Sequence, residues 1–439
     1  MKQALTATLI LFLAVTLILP NDSCSALAQS ALHNGSSAAT RDRMVKMLAY
    51  VGVEKAAPAD VDKMVELWGA ASRPGLSADE RTAAFRDLYL QFNKLQGMDL
   101  SGRPQAVTAL AQRAAAFAQG GGPMDLSLPE PRGPVSGDYI HVETSGRGTV
   151  PMLLISDAGV DGRELYRSFI ERNKDRYRFH VVTLPGAGLA RPLPWPQVFD
   201  LTRRPWLNNI EQSLSRLVQK TARGGRAKPI VVGTAFGGYF AARLAALKPE
   251  SVRAAVLVNA QVNVPMRSPA APDRPATLQE RLAAMKGFIP PQLFPATTVP
   301  GSREEIKRLL DDPKSTNPSV KNWMAFAVKD EALSKRWTLE ALAGGFLMRS
   351  IRYGAEIRGT DLTEDFARLS VPTLAMSALP DSKSPQAGIA VGSTQWAELK
   401  RLYPSIPLTL ATFADTRSYI SEDNPAEFDR ALTNFLSGR

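Results

Sequence analysis

The chain has 439 residues but a single cysteine, Cys24, and only three histidines, His33, His141 and His180. A lone cysteine excludes an internal disulfide, so packing alone must hold the core together. The sequence also lacks any metal-ligand spacing, P-loop or dinucleotide-binding glycine pattern. It therefore predicts no metal site and no cofactor.

Long blocks of like charge are absent as well, although Lys and Arg outnumber Asp and Glu by 53 to 42. Without such a block we expect no nucleic-acid partner. The basic excess is concentrated in residues 163–226, which hold 13 Lys or Arg against 5 Asp or Glu. Two interpretations stay open, namely an ordinary solvated surface and a surface that faces an anionic membrane or an acidic ligand.

The first residues have the pattern of a secretory signal peptide. Lys2 precedes a largely apolar run over residues 4–20, and Ala26 and Ala28 then form an A-x-A cleavage pattern. We predict a signal peptide over residues 1–28 and export to the periplasm or the extracellular space. The apolar run is at the short limit for a membrane-spanning helix, so we expect no integral membrane segment after processing.

A lipoprotein would instead be processed at Cys24. The residues before it, Asn21, Asp22 and Ser23, do not include the apolar residue that such sites need. The pattern therefore favours cleavage after Ala28, which leaves a mature chain without cysteine.

Small and polar residues over 29–40 predict a linker, and residues 41–122 predict a helical domain that ends at a glycine run. Apolar residues recur there at helical spacing, which is typical of helices packed against one another, and one helix opens with a capping box. We treat these helices as a candidate docking surface for a protein partner. The patterns are formed by Met44, Met47, Leu48 and Val51, by Val61, Met64, Val65 and Trp68, and by Ser77 and Glu80.

From residue 137 the pattern changes to short apolar runs, most of them separated by helical stretches. This alternation predicts an α/β domain over residues 137–439, with a mostly parallel sheet covered on both faces. Ligands of such sheets bind at the carboxyl ends of the strands. The predicted strands are 139–143, 150–155, 177–184, 230–232, 254–258, 371–376 and 408–413.

One strand leads into Gly233-Thr234-Ala235-Phe236-Gly237, which has two glycines flanking a central residue at the start of a helix. This segment resembles the nucleophile elbow of the α/β-hydrolase superfamily. Four further stretches, in the family's order, extend the resemblance to the end of the chain. They are Ser156-Asp157-Ala158-Gly159 after a strand, Leu184-Pro185-Gly186-Ala187-Gly188, Val371-Pro372-Thr373-Leu374 ahead of Asp381, and Asn424-Pro425-Ala426-Glu427-Phe428.

The resemblance implies an α/β-hydrolase sheet with a helical cap over about 262–363, and it assigns positions to the catalytic triad. The nucleophile position is Ala235, the histidine position is Ser418 and the acid position is Asp381. Alanine has no nucleophilic atom, and no histidine lies near position 418. Only the acid of the triad is therefore retained, and an acid without its imidazole has nothing to orient.

The same resemblance assigns Asp157, Ala158 and Phe236 to the pocket and its oxyanion region. A carboxylate at Asp157 would oppose an oxyanion rather than stabilise it. We therefore predict a catalytically degenerate protein that binds a small apolar or ester-like molecule, or a protein partner.

Two alternatives stay open from the sequence. Asp157 and Asp381 could act together as an acid/base pair in an active hydrolase of esters or related bonds. The more ordinary interpretation of both is that they are solvated loop aspartates, since Asp is common in turns. In the other alternative, the hydrolase domain is a scaffold and the N-terminal helices bind a partner.

Overall fold

The computed structural model describes residues 37–50, 53, 56–95, 104–119, 137–193, 204–224, 227–260, 303–312, 327–343, 356–357, 365, 368–379 and 391–438. The predicted signal peptide, most of the predicted cap and Asp381 lie outside these residues. Within the described parts of the chain, no helix is long and apolar enough to cross a membrane.

Four helices form the N-terminal region and share one buried core. The capping box is confirmed, because Ser77 N–H donates to Glu80 Oε2 at 2.9 Å and Glu80 N–H donates to Ser77 Oγ at 3.3 Å. The core is built from the predicted apolar faces, including Met44, Met64 and Trp68. The helices are α1 Ser37–Tyr50, α2 Pro58–Ser72, α3 Ala78–Leu95 and α4 Pro104–Gln119.

The linker prediction over 29–40 is wrong over its last four residues, because α1 already begins at Ser37. The two alanines that follow Ser37 are the strongest helix formers, and they extend the helix upstream of its buried face. The domain boundaries otherwise stay predictions.

A seven-stranded sheet forms the second unit, with strand order β1-β3-β2-β4-β5-β6-β7. Edge strand β1 pairs antiparallel with β3 and every other pair is parallel, which confirms the mostly parallel sheet. Separate apolar clusters cover its two faces, and this is why the central strands are apolar throughout. The strands are β1 His141–Ser145, β2 Val150–Ile155, β3 Tyr177–Thr183, β4 Ile230–Thr234, β5 Ala254–Val258, β6 Thr373–Leu379 and β7 Leu408–Ala414.

Helices follow most strands and supply the covering layers. Strand β1 begins at His141, two residues later than predicted, because its pairing with β3 starts at His141 opposite Thr183. The helices are α5 Gly162–Leu165, α6 Arg167–Asn173, α7 Pro205–Gly224, α8 Phe236–Leu247, α9 Arg303–Asp311, α10 Glu331–Ala343, α11 Val391–Leu402, α12 Ile420–Asp423 and α13 Pro425–Ser437. A 3-10 turn at Pro249–Ser251 precedes β5.

Strand register brings the candidate site residues to one edge of the sheet. Ile155 at the end of β2 pairs with Gly233 in β4, and Thr234 at the end of β4 pairs with Val258. The loops that follow these strands therefore lie side by side at their carboxyl ends, the edge where the sequence predicts a ligand.

Many cations of segment 163–226 take part in surface ion pairs. Arg172 pairs with Asp429 at 2.8 Å, and Lys174 pairs with Glu171 at 2.8 Å. Arg216 pairs with Asp138 at the N-terminal side of β1. These contacts favour the first interpretation of the basic excess, a solvated surface with interspersed charges.

Candidate functional site

The turn predicted at position 235 is present between β4 and α8. Ala235 has φ 49° and ψ −112°, a left-handed conformation that is unusual for a residue with a side chain. The turn is held from both sides, because Ala235 N–H donates to Val258 O at 2.9 Å and Ala235 O accepts from Gly238 N–H at 3.0 Å. A strained residue persists only where its surroundings over-determine it, as they do here.

Two glycines make this turn possible. A Cβ on Gly233 would lie 2.1 Å from Gly237 O, and a Cβ on Gly237 would lie 2.3 Å from Ile155 O. The helix start therefore packs directly against the backbone of β4 and β2. This close approach is the physical reason for the glycine spacing on which the resemblance rests.

Thr234 does not replace the missing nucleophile. Its hydroxyl is fully buried and lies 2.8 Å from the hydroxyl of Tyr166, which donates to Ile155 O at 2.8 Å. This hydroxyl network points into the protein and ties β4 to the end of β2. Sequence reasoning missed Tyr166, which carries no local signal because its partners are 11 and 68 residues away.

Asp157 lies beside the elbow and is buried, with 2% of its surface exposed. Its Oδ1 accepts from Ala158 N–H at 2.7 Å and from Phe236 N–H at 3.4 Å. Its Oδ2 accepts from the Tyr419 hydroxyl at 2.9 Å. The interpretation of Asp157 as a solvated loop aspartate is therefore wrong. The register of β2 against β4 places the loop that follows β2 against the elbow, where water does not reach the carboxyl group.

Burial dominates the electrostatics of this carboxyl group. Removal from water raises the pKa of Asp157 from 3.8 to about 6, and the hydrogen bonds from Ala158, Tyr419 and Phe236 oppose that rise. The neighbouring Ser156 hydroxyl helps to fix the loop, since it donates to Asp157 O at 3.0 Å and accepts from Leu184 N–H at 3.1 Å.

Tyr419 is the second site residue that sequence reasoning missed. It is fully buried, and its ring meets the ring of Trp337 edge-on at a centroid distance of 5.3 Å. Burial and the nearby charge of Asp157 hold the pKa of Tyr419 well above its usual range, so this residue is a hydroxyl donor at neutral pH. Trp337 belongs to α10 within the predicted cap region, so the contact joins that region to the elbow.

Ser418 follows β7 and is buried, with 5% of its surface exposed. Its Oγ accepts from Asn259 Nδ2 at 3.0 Å, and Asn259 is itself anchored through its N–H to Met376 O at 2.7 Å. The position that the resemblance assigns to a histidine is therefore occupied by a small residue whose hydroxyl is bound by Asn259, 159 residues away in the chain.

The remaining candidates divide by location. His141 and His180 lie in β1 and β3 as predicted, and His141 Nε2 is 3.2 Å from Glu143 Oε1. Asp381 and His33 lie outside the described residues, so the predicted acid position and the Asp157–Asp381 pair stay predictions. Within the described ranges, no group of three or more His, Cys, Asp or Glu side chains is placed to hold a metal ion.

Comparison with known proteins gives a family match. Residues 152–431 match the model of the alpha/beta hydrolase family, which is more than half of the chain. A comparison with curated proteins gives no match.

Several solved hydrolase structures have a similar overall course. An E-2-(acetamidomethylene)succinate hydrolase is 16% identical, with a TM-score of 0.45 over 68% of this chain and 95% of the other. A thermophilic esterase from Thermogutta terrifontis is 17% identical, with a TM-score of 0.42 over 68% of this chain and 93% of the other. A meta-cleavage product hydrolase from Pseudomonas fluorescens is 19% identical, with a TM-score of 0.43 over 68% and 94%.

Proposed function

The chain belongs to the alpha/beta hydrolase family, and from that premise we propose that it is an exported member without hydrolytic activity. In this proposal the fold binds a small apolar or ester-like molecule, or a protein partner, and releases it unchanged. The observation that carries the proposal is Ala235, which occupies a strained strand-to-helix turn, is fully buried and has only a methyl side chain. The elbow exists to expose a nucleophilic atom, and without one no covalent intermediate forms.

Two neighbouring contacts support the same proposal. The hydroxyl of Ser418, at the position that the resemblance assigns to the catalytic histidine, accepts a hydrogen bond from Asn259 and has no imidazole to offer as a base. The backbone N–H groups of Ala158 and Phe236, which adjoin the nucleophile position, already donate to the carboxylate of Asp157. A substrate carbonyl therefore finds neither a base nor free donors at the elbow.

The hydrogen bonds of Asp157 also argue against the alternative in which Asp157 and Asp381 act as an acid/base pair. An acid/base carboxyl group must reach its substrate within hydrogen-bond distance. Both oxygens of Asp157 are instead occupied by donors of the chain itself, and the side chain is buried.

An apolar or ester-like ligand is the first candidate, because the resemblance implies a cap that roofs a pocket at the elbow, and Trp337 of the predicted cap region contacts Tyr419 beside the elbow. Both rings are buried, so they tie the cap region to the sheet and do not themselves line a pocket. A protein partner is the second candidate, and the helices of residues 41–122 are the proposed surface for it.

An ester assay tests this proposal. We expect the wild type to hydrolyse p-nitrophenyl acetate and p-nitrophenyl octanoate at the uncatalysed rate, because the elbow lacks a nucleophile. Octyl acetate should nevertheless raise the melting temperature in a saturable way. Turnover that Asp157→Asn abolishes and Asp415→Asn leaves intact would establish the carboxylate mechanism instead; Asp415 is a matched control with an exposed side chain.

Export has its own test. The predicted signal peptide over 1–28 implies that the mature protein begins at Gln29. We expect N-terminal sequencing of protein recovered from outside the cytoplasm to give that start. A mature chain that begins at Cys24 and carries the mass of a lipid would contradict cleavage after Ala28 and identify a lipoprotein.

A further inference from the structure

Three hydrogen-bond donors from three parts of the chain converge on one carboxyl group. Ala158 N–H comes from the loop after β2, Phe236 N–H opens α8, and the Tyr419 hydroxyl comes from the loop after β7. All three residues are buried. The sheet register therefore assembles a polar cradle from segments up to 262 residues apart.

The cradle supplies hydrogen-bond donors to both oxygens of a carboxyl group, and these bonds offset part of the desolvation that raises the pKa of Asp157 to about 6. Two N–H groups share Oδ1 of Asp157, at 2.7 and 3.4 Å, and the tyrosine hydroxyl takes Oδ2 at 2.9 Å. A site for a single oxyanion needs donors to one oxygen only, whereas this one serves both oxygens of a planar group. The Phe236 N–H also lies at the N-terminus of a 12-residue helix, whose dipole favours negative charge.

We propose that these donors form a carboxylate-binding site and that Asp157 occupies it as an intramolecular ligand, which keeps other carboxylates and acyl groups away from the elbow. The inference deepens the proposed function and rests on it in one respect, namely that the elbow is not used for hydrolysis. Because Asp157 is covalently attached, its effective concentration at the donors far exceeds that of a free anion. The wild type therefore binds its ligand without placing a carboxylate or carbonyl oxygen in the cradle.

Emptying the cradle and refilling it tests the inference. Asp157→Gly removes the carboxyl group together with its Cβ, so a free formate ion has room to take the same position. The three donors lose their acceptor, and we expect the melting temperature to fall by several degrees. Added sodium formate should restore it in a saturable manner, while sodium chloride at the same ionic strength should not.

Matched variants separate binding from a general salt effect. Asp415→Gly also removes a loop aspartate, at a position whose φ of 48° suits glycine. Because Asp415 does not fill the cradle, this variant should not respond to formate. The wild type should not respond either, because Asp157 already fills its cradle. Tyr419→Phe in the Asp157→Gly background removes the donor to the second oxygen. Formate affinity should then fall about tenfold, the loss typical of a hydrogen bond to a charged group.

The outcomes decide the inference in either direction. Selective recovery by formate in Asp157→Gly supports it, and if that variant fails to fold in chloride, recovery of soluble protein after refolding in formate supports it equally. No response to formate, or equal responses to formate and chloride, overturns it. Ester turnover by the wild type would contradict the proposed function and the blocking role of Asp157, whereas a selective formate response of Asp157→Gly would still establish the carboxylate site, so the two failures are distinguishable.

Discussion

Ester hydrolysis should stay near background when Ala235→Ser and Ser418→His are combined, and should rise about a hundredfold when Asp157→Gly is added. A nucleophile and its base act as a unit, so both must be introduced together. In the double variant, however, Asp157 still holds the N–H groups of Ala158 and Phe236. Loss of one N–H donor to an oxyanion lowers the rate of such enzymes about 10²- to 10³-fold. We therefore expect a gain of similar size when Asp157→Gly releases these donors.

The matched control for this experiment is Asp157→Asn in the same double variant. Asparagine keeps a carbonyl oxygen at the position of Oδ1, so the donors stay engaged and turnover should remain near background. Initial rates with p-nitrophenyl acetate are compared at equal concentrations of folded protein, with melting temperatures measured for each variant. Equal gains from glycine and asparagine, or strong activity of the double variant, would contradict the blocking role of Asp157.

Asp157→Asn alone should change how stability depends on pH. In the folded protein the pKa of Asp157 is about 6, against an ordinary value of 3.8. Below about pH 3 the group is largely protonated in both states and contributes nothing. Between about pH 4 and pH 6 the folded state retains a proton that the unfolded chain has lost, so the free energy of unfolding falls as pH rises. Above pH 6 the free energy of unfolding has fallen by its full amount. This amount is about 3 kcal/mol, because each unit of difference between the two pKa values corresponds to 1.36 kcal/mol.

Urea unfolding from pH 4 to pH 7.5 measures this effect. The difference in unfolding free energy between Asp157→Asn and the wild type should grow in favour of the variant by about 2.5 kcal/mol over that range. Asp415→Asn, at an exposed carboxylate, serves as the control and should follow the wild type. A constant difference across the range would show that Asp157 does not titrate from a buried position.

The fold could be predicted from the sequence because its signals are local. Strands buried on both faces must be apolar throughout, so runs such as Val150–Ile155 and Ala254–Val258 identify themselves. The elbow could also be recognised in the sequence, because the contacts at Gly233 and Gly237 leave no space for a Cβ and so require glycine at both positions. Such requirements fall on residue types at fixed spacing, which a sequence displays directly.

The role of Asp157 could not be predicted in the same way. The sequence placed a carboxylate beside the elbow and led us to expect repulsion of an oxyanion. In the structure, Asp157 takes the hydrogen bonds that an oxyanion would need, and it does so with the help of Tyr419. That arrangement depends on the register of β2 against β4 and on a contact across 262 residues, neither of which has a local pattern.

Intact-mass spectrometry after treatment with a fluorophosphonate tests most directly the claim that the elbow is inert. The reagent bonds covalently to activated nucleophiles, so we expect an unchanged mass for the wild type. For the Asp157→Gly, Ala235→Ser, Ser418→His variant we expect one phosphonyl adduct at position 235. A stoichiometric adduct on the wild type, at any residue, would show that the chain carries an activated nucleophile and contradict an inert elbow.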